Sequence, residues 1–253
     1  IAQQGDVDRA LKLWEESLEI QEKIGDVKGK AATLHKMAGV IAQQGDVDRA
    51  LKLWEESLEM KEKIGDVRGK AATLAQMAWA AGTQGDAARQ RELNLEAAGA
   101  LGQVRAWGDL VTVLGNLGAS DAPDSVRFLA QAVWLIRHIE APLEQAIQTS
   151  AALQQKLGND SDAAPLIATF AFFQVQTRGQ GHPKKEELQG YAMNMLGACA
   201  AARKVPEEKF KEWFEAEGLN DPNRFIPALD AALEALVPEG AWLFDRKQVT
   251  SSS

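Results

Sequence analysis

The residues with most to offer chemistry are three histidines, one cysteine and two pairs of adjacent glutamates. His35, His138 and His182 are far apart and fall in different segments, whereas a metal site needs convergent ligands at recognisable spacing. Glu15-Glu16 and Glu55-Glu56 lie on the polar side of a periodic apolar stripe and read as a solvated face. Cys199 sits in Gly-Ala-Cys-Ala-Ala, the setting of a small core residue, and as the only cysteine it forms no internal disulfide. No Gly-rich phosphate loop and no nucleophile elbow occurs. The expectation is a protein without catalytic residues, metal or cofactor.

What remains is binding, and it shows where two halves of a duplication part company. Residues 1–40 and 41–80 differ at only seven positions: Ile20/Met60, Gln21/Lys61, Lys28/Arg68, His35/Ala75, Lys36/Gln76, Gly39/Trp79 and Val40/Ala80. Four of the seven fall on two adjacent turns of one segment, and positions 35 and 39 share a helical face. A tryptophan there either anchors a bound segment or packs against the next repeat, which begins at that point. His35 carries the same two readings.

The segments that position these residues are helical. Gly5-Asp6, Gly25-Asp26, Gly45-Asp46 and Gly65-Asp66 read as stop-then-start signals about 20 residues apart. The Gly closes one helix in the left-handed conformation, and the Asp caps the free N–H groups of the next. Between them, Val47, Ala50, Leu51, Trp54 and Leu58 follow helical spacing, as do Ala71, Leu74, Met77, Ala78 and Ala81. Nothing alternates with period two. Each 40-residue unit is a helical hairpin, and one hairpin cannot bury its apolar face alone, so neighbours stack.

These residues resemble the tetratricopeptide repeats. Leu34, Met37, Ala38 and Ile41 sit where the family's helix A presents its buried side chains. Gly45-Asp46 fills the turn, and Ala50, Trp54 and Ser57 sit where helix B packs back. The 40-residue period is similar to that of kinesin light chains, G-protein-signalling adaptors and many bacterial sensor and regulator proteins. The resemblance implies an all-α, right-handed superhelical solenoid of antiparallel hairpins. It also implies a concave helix-A face holding a peptide, a helix or another domain, here lined by His35, Lys36, Gly39, Gln43, Gln76, Trp79 and Asn116. The Lys/Asn/Arg set with which some members clamp a C-terminal carboxylate is absent. A cytoplasmic, bacterial, signalling or regulatory setting is a further implication.

The register weakens downstream. Leu114, Leu117 and Gly118, then Ala130 and Trp134, continue it through 106–138, but Gln90 and Asn94 replace Ala and Trp between. Residues 1–138 are therefore read as the array and 139–247 as divergent repeats or capping helices, near 162–178, 184–204, 206–217 and 222–237. A disordered tail is expected over 248–253. Phe170, Phe172 and Phe173 read as deeply buried, and the aromatic-rich 206–244 stretch reads as a cap on the stack.

The net charge of −8 disfavours nucleic acid, and no apolar run approaches a membrane span. The chain starts at Ile1, so it reads as an excerpt whose first hairpin exposes Leu11, Trp14 and Leu18 and is open to self-association. The expected function is a protein-interaction scaffold or sensor module. A self-assembling structural module and a small-molecule-sensing domain, walled by Phe170, Phe172 and Phe173, are the alternatives.

Overall fold

The computed structural model describes residues 2–250, with side chains from residue 6 onward, and among the described residues it contains helices and no strand. The helices are α1 (Ala2–Ile24), α2 (Val27–Gln43), α3 (Val47–Lys63), α4 (Val67–Thr83), α5 (Ala87–Gln103), α6 (Trp107–Ala119) and α7 (Ser125–His138). They continue with α8 (Leu143–Leu157), α9 (Ala163–Arg178), α10 (Lys185–Ala202), α11 (Phe210–Ala216), α12 (Pro222–Ala235) and α13 (Arg246–Thr250). The chain divides into two compact units, 1–106 and 107–253. The sequence's own change of character comes later, at 138.

The Gly-Asp punctuation works through backbone hydrogen bonds. Gly25, Gly45, Gly65 and Gly85 all take positive φ. At each, the next residue's N–H reaches back to a carbonyl five residues earlier, as Asp46 does to Ile41 at 3.2 Å and Asp66 to Lys61 at 2.9 Å. This motif satisfies carbonyls that a helix end leaves free. The aspartates then accept from the third residue on: Asp26 from Gly29, Asp46 from Arg49, Asp66 from Gly69 and Asp86 from Arg89, at 2.8–3.1 Å. The fifth turn on the same 20-residue spacing has Arg105 in the left-handed position (φ 55), with Ala106 N–H donating to Leu101 at 3.0 Å. Lys204 repeats it at φ 57. These two turns carry no glycine, so sequence punctuation does not reveal them.

In the first unit α2 packs on α3 and α4 on α5, and these hairpins stack through α1–α2 and α3–α4 contacts. Ala38, Ala50, Trp54 and Ser57 are all fully buried, which lets α2 and α3 approach closely. Ser57 donates to the carbonyl of Ala31 at 2.7 Å and so adds a polar link to an apolar seam. Outside the seam Lys30 bridges Glu22 and Glu56, and its counterpart Lys70 bridges Glu62 and Glu96. The degenerate α5 keeps its packing by a volume exchange. A Cβ on Gly82 would meet the Gln90 side chain at 2.7 Å, so glycine replaces the Ala42 of the earlier copy where glutamine replaces Ala50. Asn94 is buried in the place of Trp54 and donates to the Gln90 carbonyl at 3.0 Å.

In the second unit α6 packs on α7, α8 on α7 and α9, and α9 on α10. Gly118 allows the α6–α7 approach, because a Cβ there would meet Leu129 at 2.3 Å. Gly158, at φ 86, ends α8 as the cap expected in the sequence.

Four expectations are corrected. α1 runs through Gly5-Asp6 without a break: a glycine inside a helix costs only about 1 kcal/mol, so the pair interrupts a helix only where neighbouring hairpins demand a turn. The aromatic-rich stretch divides. Phe210, Trp213 and Phe214 lie on the α8–α10 core, whereas α12 and α13 fold back along α7 and α9. Buried Gln131 holds that return, donating to the Ala241 carbonyl and accepting from Leu243 N–H at 2.9 Å. The tail from 248 is not wholly disordered, since 248–250 close α13 with Val249 buried, and 251–253 lie outside the described residues. Of the three phenylalanines only Phe170 is deeply buried; Phe172 and Phe173 are partly exposed, and Phe173 meets Phe225 edge-on at 5.7 Å.

Candidate partner-binding surface

Helices α2 and α4 are the A helices of their hairpins, and their sequences leave one face bare. Ala31, Leu34, Met37, Ala38 and Ile41 turn inward on α2, as do Ala71, Leu74, Met77, Ala78 and Ala81 on α4. The opposite positions are Ala32, Lys36 and Gln43 on α2, and Ala72, Gln76 and Trp79 on α4, all exposed. Trp79 shows 48% of its surface, well above the usual burial of tryptophan. Its counterpart Gly39 opens space instead, for a Cβ there would touch nothing within 4 Å. Neither A helix contains Asp or Glu, whereas α1 and α3 carry many. Lys28 and Arg68 stand at the start of this face, so 27–43 and 67–83 carry basic and no acidic residues.

His35 stands apart from this surface. It is partly buried, and its Nδ1 lies 3.1 Å from Thr73 Oγ1 on α4. Thr73 gives its own proton to the Gly69 carbonyl at 3.0 Å and accepts from Lys61 Nζ at 2.7 Å. Its remaining lone pair accepts from His35 Nδ1–H, which fixes the neutral tautomer. Burial, then repulsion by Lys61 and Lys36, lowers the His35 pKa to about 4. Lys61 is itself buried, and that burial lowers its pKa, opposed by Asp66. The first copy makes the same link with neutral groups, Gln21 to Thr33 at 3.1 Å. His35 therefore joins α2 to the next hairpin. Asn116 is exposed on α6, in the second unit.

The second unit holds a cavity of about 640 Å³ whose lining includes Trp107, Ile136, Arg137, His138, Gln174 and Arg178. Phe170, Phe172 and Phe173, the expected wall of a small-molecule site, do not line this cavity. Its polar groups are engaged with one another. Arg137 pairs with Asp230 at 2.5 Å and donates to His138 Nε2 at 2.9 Å, and His138 Nδ1–H donates to the Trp134 carbonyl at 2.8 Å. Burial, with Arg137 beside it, holds the His138 pKa below its usual value. Arg178 reaches Gln174 at 2.7 Å and the Ala141 carbonyl. Cys199 is buried, its thiol pushed up to about 11 by burial. Among the described residues no three His, Cys, Asp or Glu side chains are grouped to hold a metal. No described helix is long and apolar enough to cross a membrane.

Residues 29–89 match the tetratricopeptide repeat family. That family is one of protein-interaction scaffolds rather than catalysts. Among solved structures, the chain is similar to the nearly identical TPR-like repeats of a protein assigned as a kinesin light chain from Podosopora anserina. The identity is 20%, over 76% of this chain and 88% of that one, with a TM-score of 0.43. No curated protein matches the chain.

Proposed function

We propose that the bare face of α2 and α4 holds a peptide or helix of a protein partner, making the chain an interaction scaffold. The exposed Trp79, at the position where the preceding repeat has the open Gly39, carries this reading. A large aromatic at an accessible position is the usual anchor of a hot spot. Lys36, Gln43 and Gln76 supply polar contacts around it. The resemblance to regulator arrays carries the signalling part of the reading, and the free thiol of Cys199 suits a reducing, cytoplasmic setting.

Peptides selected from a displayed library on the immobilised chain test it. Calorimetry should show Trp79→Ala weakening the selected peptides at least tenfold, about 1.4 kcal/mol. Peptides that bind Trp79→Ala as well as the unchanged chain would overturn the assignment. A second reading, self-association through the first hairpin, is favoured by the exposure of Leu13, Ile20 and Ile24 on α1. Light scattering over a concentration series decides it, a strict monomer counting against.

A further inference from the structure

The last turns of α7 and α9 both line the cavity of about 640 Å³ in the second unit. That volume lies within the range of small-ligand sites, which combine an apolar wall with a few placed polar groups. Here Trp107, Ile136 and Val249 supply the wall, and Arg137, Glu140, Gln174 and Arg178 the polar groups. Ile136 and Val249 are buried, whereas Trp107 is only partly so and leaves ring surface to be covered.

The polar groups hold one another in place without using up their capacity. Arg137 pairs with Asp230 and His138 through Nε and Nη2, which leaves Nη1 with no partner among the described residues. Arg178 gives one N–H to Gln174 Oε1 and one to the Ala141 carbonyl, and its Nε has no partner among the described residues. Glu140 is exposed and pairs with no cation among the described residues, although Arg178 reaches the residue next to it, Ala141. Arginines fixed in this way lose little freedom when a carboxylate arrives, and a guanidinium–carboxylate pair is among the stronger polar contacts.

The charges balance: Asp230 offsets Arg137, and Glu140 is opposite in sign to Arg178. The cavity also lies at two helix C-termini, whose carbonyls carry partial negative charge. An anion alone would meet Glu140 and those carbonyls, and a cation alone would meet two guanidinium groups. A molecule carrying both charges meets a partner for each.

We propose that this cavity binds a short apolar zwitterion, a free amino acid or dipeptide. Its carboxylate takes the spare N–H groups of Arg137 and Arg178, its ammonium pairs with Glu140, and its apolar side chain lies against Trp107, Ile136 and Val249. Val249 belongs to α13, which packs on α7, so the ligand also touches the returning C-terminal segment. The site uses none of the residues of the Trp79 face, so either assignment can fail alone.

The probes are L-leucyl-L-phenylalanine and L-phenylalanine, titrated into the whole chain by calorimetry. At least one should bind saturably at one to one. Acetylating its amine, or converting its carboxylate to the amide, should each weaken binding at least tenfold. Glu140→Gln, at an exposed position, should weaken the free probe and remove the penalty of acetylation, while the amide still binds poorly. Gln174→Glu keeps the acceptor for Arg178 and adds a negative charge, so it should weaken the probe at least tenfold with no fall in the thermal midpoint. Absence of saturable binding of both probes at millimolar concentration overturns the proposal, as does binding that ignores both caps. An acetylation penalty that persists in full in Glu140→Gln overturns it too.

Discussion

Acid should destabilise the first unit through His35, and the second copy supplies the control. His35 has a pKa of about 4 in the fold, against 6.5 in the unfolded chain. Above pH 6.5 both states hold the neutral ring and the residue contributes no pH dependence. As pH falls from 6.5 to 4 the unfolded chain takes up a proton that the folded chain refuses, so stability falls across that window. A depression of this size corresponds to about 3 kcal/mol for a fully shielded ring, and to about 2 kcal/mol given its partial contact with water. His35→Ala installs the residue of the second copy, Ala75. Urea unfolding between pH 4 and 7, followed by tryptophan fluorescence, should show most of that loss removed in the variant. Lys61→Gln copies the Gln21–Thr33 link and removes one of the neighbouring cations, so the His35 pKa, read by NMR, should rise toward 6.5. A His35→Ala chain that loses stability with acid as steeply as the parent refutes the reasoning, as does a His35 titrating near 6.5 in the parent.

Two further expectations concern stability. Trp54→Ala should cost about 4 kcal/mol, as for a fully buried aromatic, and Trp14→Ala clearly less despite the same neighbours in sequence, measured by urea denaturation. Arg105→Gly should stabilise by about 0.5–1 kcal/mol, because the left-handed backbone at 105 suits glycine, and thermal melting would show the midpoint rise.

Much of the first unit is legible in the residues, because its signals are local. Glycine at the end of each helix, aspartate at the start of the next and an apolar stripe between act within one turn or one helix. Repetition at 40 residues then makes each hairpin a copy of its neighbour's solution. Legibility falls where the chemistry is substituted rather than repeated. Arg105 and Lys204 turn the chain without glycine, and Gln90 is admitted only because Gly82 on the preceding helix gives way. Gln131, fully buried with both ends of its amide bonded to the 241–243 backbone, looks like an ordinary polar helix residue until that segment returns across it.

The candidate surface divides in the same way. That positions 36, 39, 76 and 79 share the bare side of helix A follows from the period of the helix and the identity of the buried residues. That Trp79 is exposed while His35 is tied to Thr73 and Lys61 does not follow, because it depends on how far apart neighbouring hairpins sit. Local order comes from backbone hydrogen bonds and short-range spacing, which a linear chain states outright. The protonation of His35 and the return of α12 along α7 and α9 depend on contacts between residues distant in the chain, and these exist only once the helices have packed.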